Sequence, residues 1–168
     1  GIILVTTKKN DILDNKIVFT IANKVIDILR SIPFIILMVL LIPLSRFIVG
    51  TGSGLQGSFV ALVFGTVPFF ARQIESVLSD VDKGLIEAAD AMGFSKLEII
   101  FSVYLKESIP GITRVTMITF VSFIGITAIA GAIGAGGIGD FAVRYGYQMG
   151  YRDMIWLTVI VILIMISI

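Results

Sequence analysis

The chain has neither cysteine nor histidine. The first absence removes disulfides, thiolate nucleophiles and Cys-ligated zinc, and the second removes Ser–His–Asp relays and the common imidazole metal sites. Charge is also scarce. Only 15% of the 168 residues are Asp, Glu, Lys or Arg, against about a quarter in a soluble domain. A net charge of +1 gives no clustered basic surface for phosphates, so no nucleic-acid partner is expected. Hydrophobic residues make up 57% of the chain, and its mean hydropathy is +1.02. That is more apolar surface than a core of this size absorbs, and it points to a membrane protein.

Long uncharged runs carry the same message. No Asp, Glu, Lys or Arg lies between Arg46 and Arg72, or between Arg114 and Asp140. Each gap of 25 residues exceeds the ~20 that cross a ~30 Å hydrocarbon layer as a helix. A third candidate span runs from about Ile17 through residues 32–44, with Lys24, Asp27 and Arg30 in its first half. Asp27 and Arg30, three apart, are placed to pair on one helix face. The final stretch MIWLTVIVILIMISI (154–168) is wholly uncharged after Asp153, yet as a helix it reaches only ~22 Å, short of a full span. Both ends read as cut: GIILVTT resembles the tail of an earlier helix, and the chain stops inside another. The expected content is four helices, the last incomplete, plus the stub of one before them.

Lys and Arg in short loops set orientation. Loops 8–16 and 72–106 carry seven (Lys8, Lys9, Lys16, Arg72, Lys83, Lys96, Lys106), against three (Arg46, Arg144, Arg152) around 46–54 and 140–153. The first pair of loops is therefore assigned to the cytoplasm, and the glycine-rich stretch GAGGIG (134–139) to the outer face. That stretch matches G-x-G-x-x-G, but an apolar run of membrane length precedes it in place of a strand. Dinucleotide binding is rejected. Two readings stay open for Gly131, Gly134, Gly136, Gly137 and Gly139: close packing of helices, or a sharply turning backbone that gates a pathway and is tolerated only against protein or a water-filled cavity.

The segment GLIEAADAMGFSKLEIIFSVYLKESIPG (84–111) is the most informative. Leu85, Ala88, Ala89 and Met92 recur at helical spacing as one apolar face, with Glu87 and Asp90 off it. Gly93 suits a left-handed helix end, and Ser95 with Glu98 forms a capping-box pattern that starts a second helix. The apolar face of that helix reads as Leu97, Ile100, Phe101, Tyr104 and Leu105, and Pro110 fits the first turn of the next span. As a helix–turn–helix it would repel DNA, because Glu87, Asp90 and Glu98 outnumber Lys83 and Lys96. Two readings remain: a loop packed on its own protein, or a knob that docks into a soluble partner.

EAADAMG resembles the EAA loop of ABC importer permeases. Glu87, Ala88, Ala89 and Gly93 match the motif, and nine residues later Val103, Tyr104 and Leu105 stand close to its I-x-L. Lys106 replaces the final proline, with Pro110 four residues beyond. RSIPFIIL (30–37), PLSRFIVGT (43–51) and GAIGAGGIGDFAVRYGY (131–147) extend the likeness over nearly the whole chain, toward the permease subunits of methionine importers. The resemblance implies an all-α polytopic helix bundle of the plasma membrane, with five spans in the full chain, the first largely missing here and the last truncated. It implies a single transmembrane permease domain over 1–168 with a cytoplasmic coupling loop at about 79–107. The implied partners are a second permease subunit, an ABC ATPase dimer gripping the two EAA loops, and an extracytoplasmic substrate-binding lipoprotein. Glu87 would contact the ATPase, with Leu85, Ala88, Ala89, Met92 and Gly93 in the coupling helix and its end.

The chain has no Walker A pattern, so ATP chemistry falls to the partner, and no cofactor is expected. Pro33, Pro43 and Pro68 lie in or beside spans, where each removes a backbone donor. Arg72 with Glu75 reads as a helix-surface ion pair, and Arg114 as a snorkelling interfacial charge. The rival readings are a permease for another amino acid or a quaternary amine, and a membrane channel or enzyme with no ATPase.

Overall fold

The computed structural model describes residues 1–9 and 11–167, and every regular element among them is helical. Among the described residues two helices are long and apolar enough to cross a membrane: Gly54–Ser79 (α5) and the helix beginning at Ile109, continuous to Ala135 apart from a kink near its end. They overlap the two uncharged runs, each shifted to take in charged residues at its cytoplasmic end as the sequence assigns it: Arg72 and Glu75 in the first, Arg114 in the second. Several of their hydroxyls bond back to the helix's own carbonyls, as an apolar surrounding favours, while the buried Thr66 hydroxyl in α5 has no partner among the described residues. Ser58 donates to the carbonyl of Gly54 at 2.9 Å, Thr116 to Ile112 at 2.7 Å and Thr119 to Val115 at 2.7 Å. Pro68 sits inside α5 without ending it.

The third candidate span is not one helix. It is divided into α2 (Lys16–Ser31), α3 (Phe34–Leu40) and α4 (Ile42–Val49). Pro33 adopts an extended conformation (φ −54°, ψ 135°). Its ring disfavours a helical residue before it, which stops α2. A second break falls at Leu41 (φ −89°, ψ 2°), with Pro43 in the first turn of α4. Gly50, left-handed at φ 78°, closes α4. The N-terminal stub is the single-turn helix α1 (Ile2–Thr6). The last helix is described over Arg152–Ser167, and Ile168, the end of the expected segment, lies outside the described residues.

The chain forms two compact units; one border falls at the end of α2 and the other two inside the two long helices. The first contains Gly1–Ser31 and Val67–Thr119. Its core joins Val5, Leu78, Ala89, Ile99 and Tyr104, all at most 3% exposed. In the same unit Arg72 forks between α2 and α5: it donates to Asn23 and Asp27 at 2.6 Å each and to Glu75 at 2.5 Å. The expected Arg72–Glu75 pair is present but is half of a larger network. Asp27 turns to Arg72 rather than to Arg30, and the Arg72 guanidinium is held there by further bonds to Asn23 and Glu75.

The second unit contains Ile32–Thr66 and the chain from Phe120 onward. Its core is Leu62, Ala130 and Ala135, with Phe34, Met38, Phe123 and Ile126 packed around them.

Candidate functional site

Between the two long helices lies α6 (Lys83–Ala91), and its ends are defined by short-range chemistry. Asp82 caps the start, accepting from the Gly84 N–H at 2.7 Å. Gly93 ends the helix at φ 82°, with open space where a side chain would point. Ser95 then opens α7 (Lys96–Ile99) with a reciprocal cap: the Ser95 N–H donates to Glu98 Oε2 at 2.7 Å and the Glu98 N–H to Ser95 Oγ at 3.4 Å. The Ser95 hydroxyl and N–H hold the Glu98 carboxyl below the usual carboxylate range. A π-helical turn, Ile100–Tyr104, follows, then α8 (Leu105–Glu107) and the long helix α9 (Ile109–Ala130), with Pro110 in its first turn.

The apolar face expected on α6 is divided. Ala89 is 1% exposed and joins the core, with Ile86 packed beside it. Leu85, Ala88 and Met92 face outward, Leu85 at 46% and Met92 at 68% exposure. Glu87 and Gly93 are exposed. Ala89 lies on the edge of the expected stripe nearest Ile86, so a small rotation brings this pair inward. Leu85 and Ile86 are both apolar, and periodicity alone does not choose between them.

The second loop helix shows a similar shift. Ile99, Ile100 and Tyr104 are buried, whereas Leu97 and Phe101 are exposed. The π turn accommodates this: one extra residue per turn offsets the inward face and brings Tyr104 to the core. Leu85, Met92, Phe94, Leu97 and Phe101 thus remain as uncovered apolar surface on the two loop helices and the turn joining them.

A contact not visible in the sequence pattern sits beneath α6. The Tyr104 hydroxyl reaches both carboxylate oxygens of Asp11, at 2.9 and 3.0 Å. Burial first, and then the bond to Asp11 and its charge, push the Tyr104 phenol well above its ordinary range, so it stays a protonated donor. Asp11 and Tyr104 line a cleft of about 340 Å³ together with Lys83, Glu87, Asp90 and Lys96. No group of three or more acidic residues suited to a metal ion occurs among the described residues.

In the second unit, the glycine-rich stretch does two jobs. Gly134 (φ 98°), Gly136 (φ 85°, ψ −173°) and Gly137 (φ 81°) supply the backbone reversal that ends the long helix and starts α10 (Gly137–Phe141). A side chain on any of the three meets nothing. Gly131 and Gly139 instead permit close approach. A Cβ on Gly131 would lie 2.7 Å from the Asp140 nitrogen and the Gly136 oxygen, and one on Gly139 would strike the Ala128 carbonyl. Close approach and backbone turning are therefore both present, at different glycines. Beside the reversal is an apolar cavity of about 150 Å³, lined by Leu62, Thr127, Ala135, Gly136 and Met165 among others.

Comparison with known proteins places this geometry. A probable D-methionine transport system permease protein of Vibrio cholerae is 42% identical over all 168 residues, which cover 75% of its length. A D-methionine transport system permease protein of Yersinia pestis is 45% identical over 112 residues, 67% of this chain and 52% of that protein. A crystal form of a methionine ABC transporter in inward-facing conformations, MetNI, superposes with a TM-score of 0.90 at 38% identity, covering 99% of this chain and 79% of that one. Residues 3–168 match the family described as the inner membrane component of binding-protein-dependent transport systems. The chain belongs to that family.

Proposed function

We propose that this chain is the permease of an ATP-driven methionine importer and transmits the work of a separate ATPase through α6. One observation carries the reading: on the short helix between the two long spans, Leu85, Ala88 and Met92 stand uncovered while Ile86 and Ala89 anchor the opposite face to the core. An amphipathic helix fixed on one side and bare on the other suits a groove in a soluble partner. Glu87, exposed off that strip and lining the cleft with Asp11 and Tyr104, contacts the ATPase in this reading, and Gly93 sets the angle of the following helix.

The coupling is mechanical. Ala89 packs in one cluster with Leu78, at the end of α5, and the α7–π–α8 segment runs on into α9. A push on Leu85 and Met92 therefore reaches two membrane helices, and rigid-body rocking alternates access. Two permease subunits would form the pathway, with an extracytoplasmic binding protein delivering cargo, as the family description suggests. The glycine reversal at 131–139 serves as gating and packing backbone. Methionine as cargo rests on what the relatives are named to carry.

The test is uptake by the full permease reconstituted with its ATPase and binding protein. ATP-dependent accumulation of labelled methionine supports the reading. Uptake of a different amino acid or a quaternary amine keeps the mechanism and changes the cargo. Solute flux without ATP replaces it with a channel.

A further inference from the structure

The loop before α2 is folded against the underside of α6 by more than apolar contact. Its backbone is held by the Leu13 N–H donating to the Thr6 carbonyl at 2.9 Å and the Asn15 N–H to Thr7 at 3.2 Å. The Ile12 N–H donates to Asp11 Oδ1 at 2.8 Å, which fixes the carboxylate's direction. Ile12 packs on the cluster that contains Ala89, and Asp11 accepts from the Tyr104 hydroxyl through both oxygens. Tyr104 is the last residue of the π turn and is 3% exposed. A five-residue π turn leading into a membrane helix is a locally soft element, because its wider ring of hydrogen bonds is less favourable than the α-helical one. Without an external anchor, force entering at α6 would dissipate in that turn.

We infer that Asp11 and Tyr104 form a positioning pair, which locks the π turn to the loop preceding α2 so that α2, α6 and α9 move as one piece when the ATPase acts. The inference rests on the proposed coupling role of α6. It assigns neither residue to the ATPase contact. The pair acts through the helices it joins.

Loss of such a lock has a signature different from loss of stability. A less stable permease yields less complex, and ATP hydrolysis and uptake fall together. A slack linkage leaves the complex assembled and lets hydrolysis run ahead of uptake. The experiment measures ATP hydrolysed per methionine imported by the reconstituted full complex, for wild type, Tyr104→Phe, Asp11→Ala, Asp11→Asn and the double variant Asp11→Ala/Tyr104→Phe. Tyr104→Phe and Asp11→Ala are expected to assemble with the ATPase and to raise the ratio several-fold. Asp11→Asn, which keeps an acceptor oxygen, stays within about twofold of wild type, and the double variant is no worse than either single one. Unchanged ratios in both single variants, or a double variant showing the product of the two single effects, overturn the positioning pair. A wild-type complex that does not couple hydrolysis to uptake overturns the importer reading itself, so the two failures are distinguishable.

Discussion

Replacing Gly139 with alanine tests the division of labour in the glycine-rich stretch. The added Cβ would collide with the Ala128 carbonyl oxygen, and would lie 2.7 Å from its carbon and 3.0 Å from its Cα. All of these are backbone atoms, so no rotamer change relieves the clash, and α10 must move away from α9. Overpacking of this kind costs about 1–3 kcal/mol, and immobile neighbours put Gly139→Ala near the top of that range. Gly134→Ala meets no atom, and its cost is only the left-handed conformation at φ 98°, about 1–2 kcal/mol. Gly136 lies between them, since φ 85° with ψ −173° is a region nearly closed to other residues, at about 1–3 kcal/mol. At roughly 2–4 °C per kcal/mol for a chain of this size, Gly139→Ala should lower the melting temperature by about 6–12 °C and Gly134→Ala by about 2–8 °C. The assay is retention of the monodisperse size-exclusion peak of the detergent-solubilised full transporter after heating. A shift for Gly134→Ala equal to or larger than that for Gly139→Ala would refute the close-approach argument.

Two further outcomes follow from the first unit. Arg72→Lys keeps the charge but loses the fork that reaches Asn23, Asp27 and Glu75 together, and should cost about 1–3 kcal/mol of stability in the same thermal assay. Lysine matching arginine there would mean that charge alone is needed. The Glu98 carboxyl is held below its ordinary value of 4.5 by Ser95, so its contribution to the cap is complete above that value and is lost as pH falls through the lowered one. The protection factors of residues 95–99, taken relative to the intrinsic exchange rate at each pH, should therefore fall in wild type only on acidification below the ordinary glutamate range. Ser95→Ala should show low protection at every pH, and wild-type protection factors unchanged by acid would contradict the cap's role.

The features legible in the sequence were those set by local chemistry or by bulk hydropathy. Uncharged runs located both long helices, and Gly93, Ser95 and Glu98 marked the turn and cap at their observed positions. Tertiary choices were hidden. Leu85 and Ile86 satisfy helical periodicity equally, and only the core formed by Val5, Leu78 and Tyr104 decides that Ile86 and Ala89 turn inward. The π turn at Ile100–Tyr104 has no sequence signature of its own, and the apolar positions of the second loop helix do not by themselves tell that Ile100 and Tyr104 are buried while Leu97 and Phe101 are exposed. Asp11 and Tyr104 are separated by 93 residues, and no local pattern joins them. In the third candidate span, Pro33 was visible as a breaker, but its effect depended on whether neighbouring helices would tolerate a kink, and the chain instead leaves the helix there.

The most direct measurement concerns two adjacent alanines on α6. Ala88 is exposed on the proposed docking strip, and Ala89 is 1% exposed in the core. The full-length permease is co-purified with its ATPase as wild type, Ala88→Arg and Ala89→Arg, with folding followed by size exclusion. Arginine at 89 places a charge where no partner waits and should prevent folding. Arginine at 88 should leave a folded permease that no longer retains the ATPase. If the folded Ala88→Arg permease holds the ATPase as firmly as wild type, α6 is not the coupling element and the account fails at its centre.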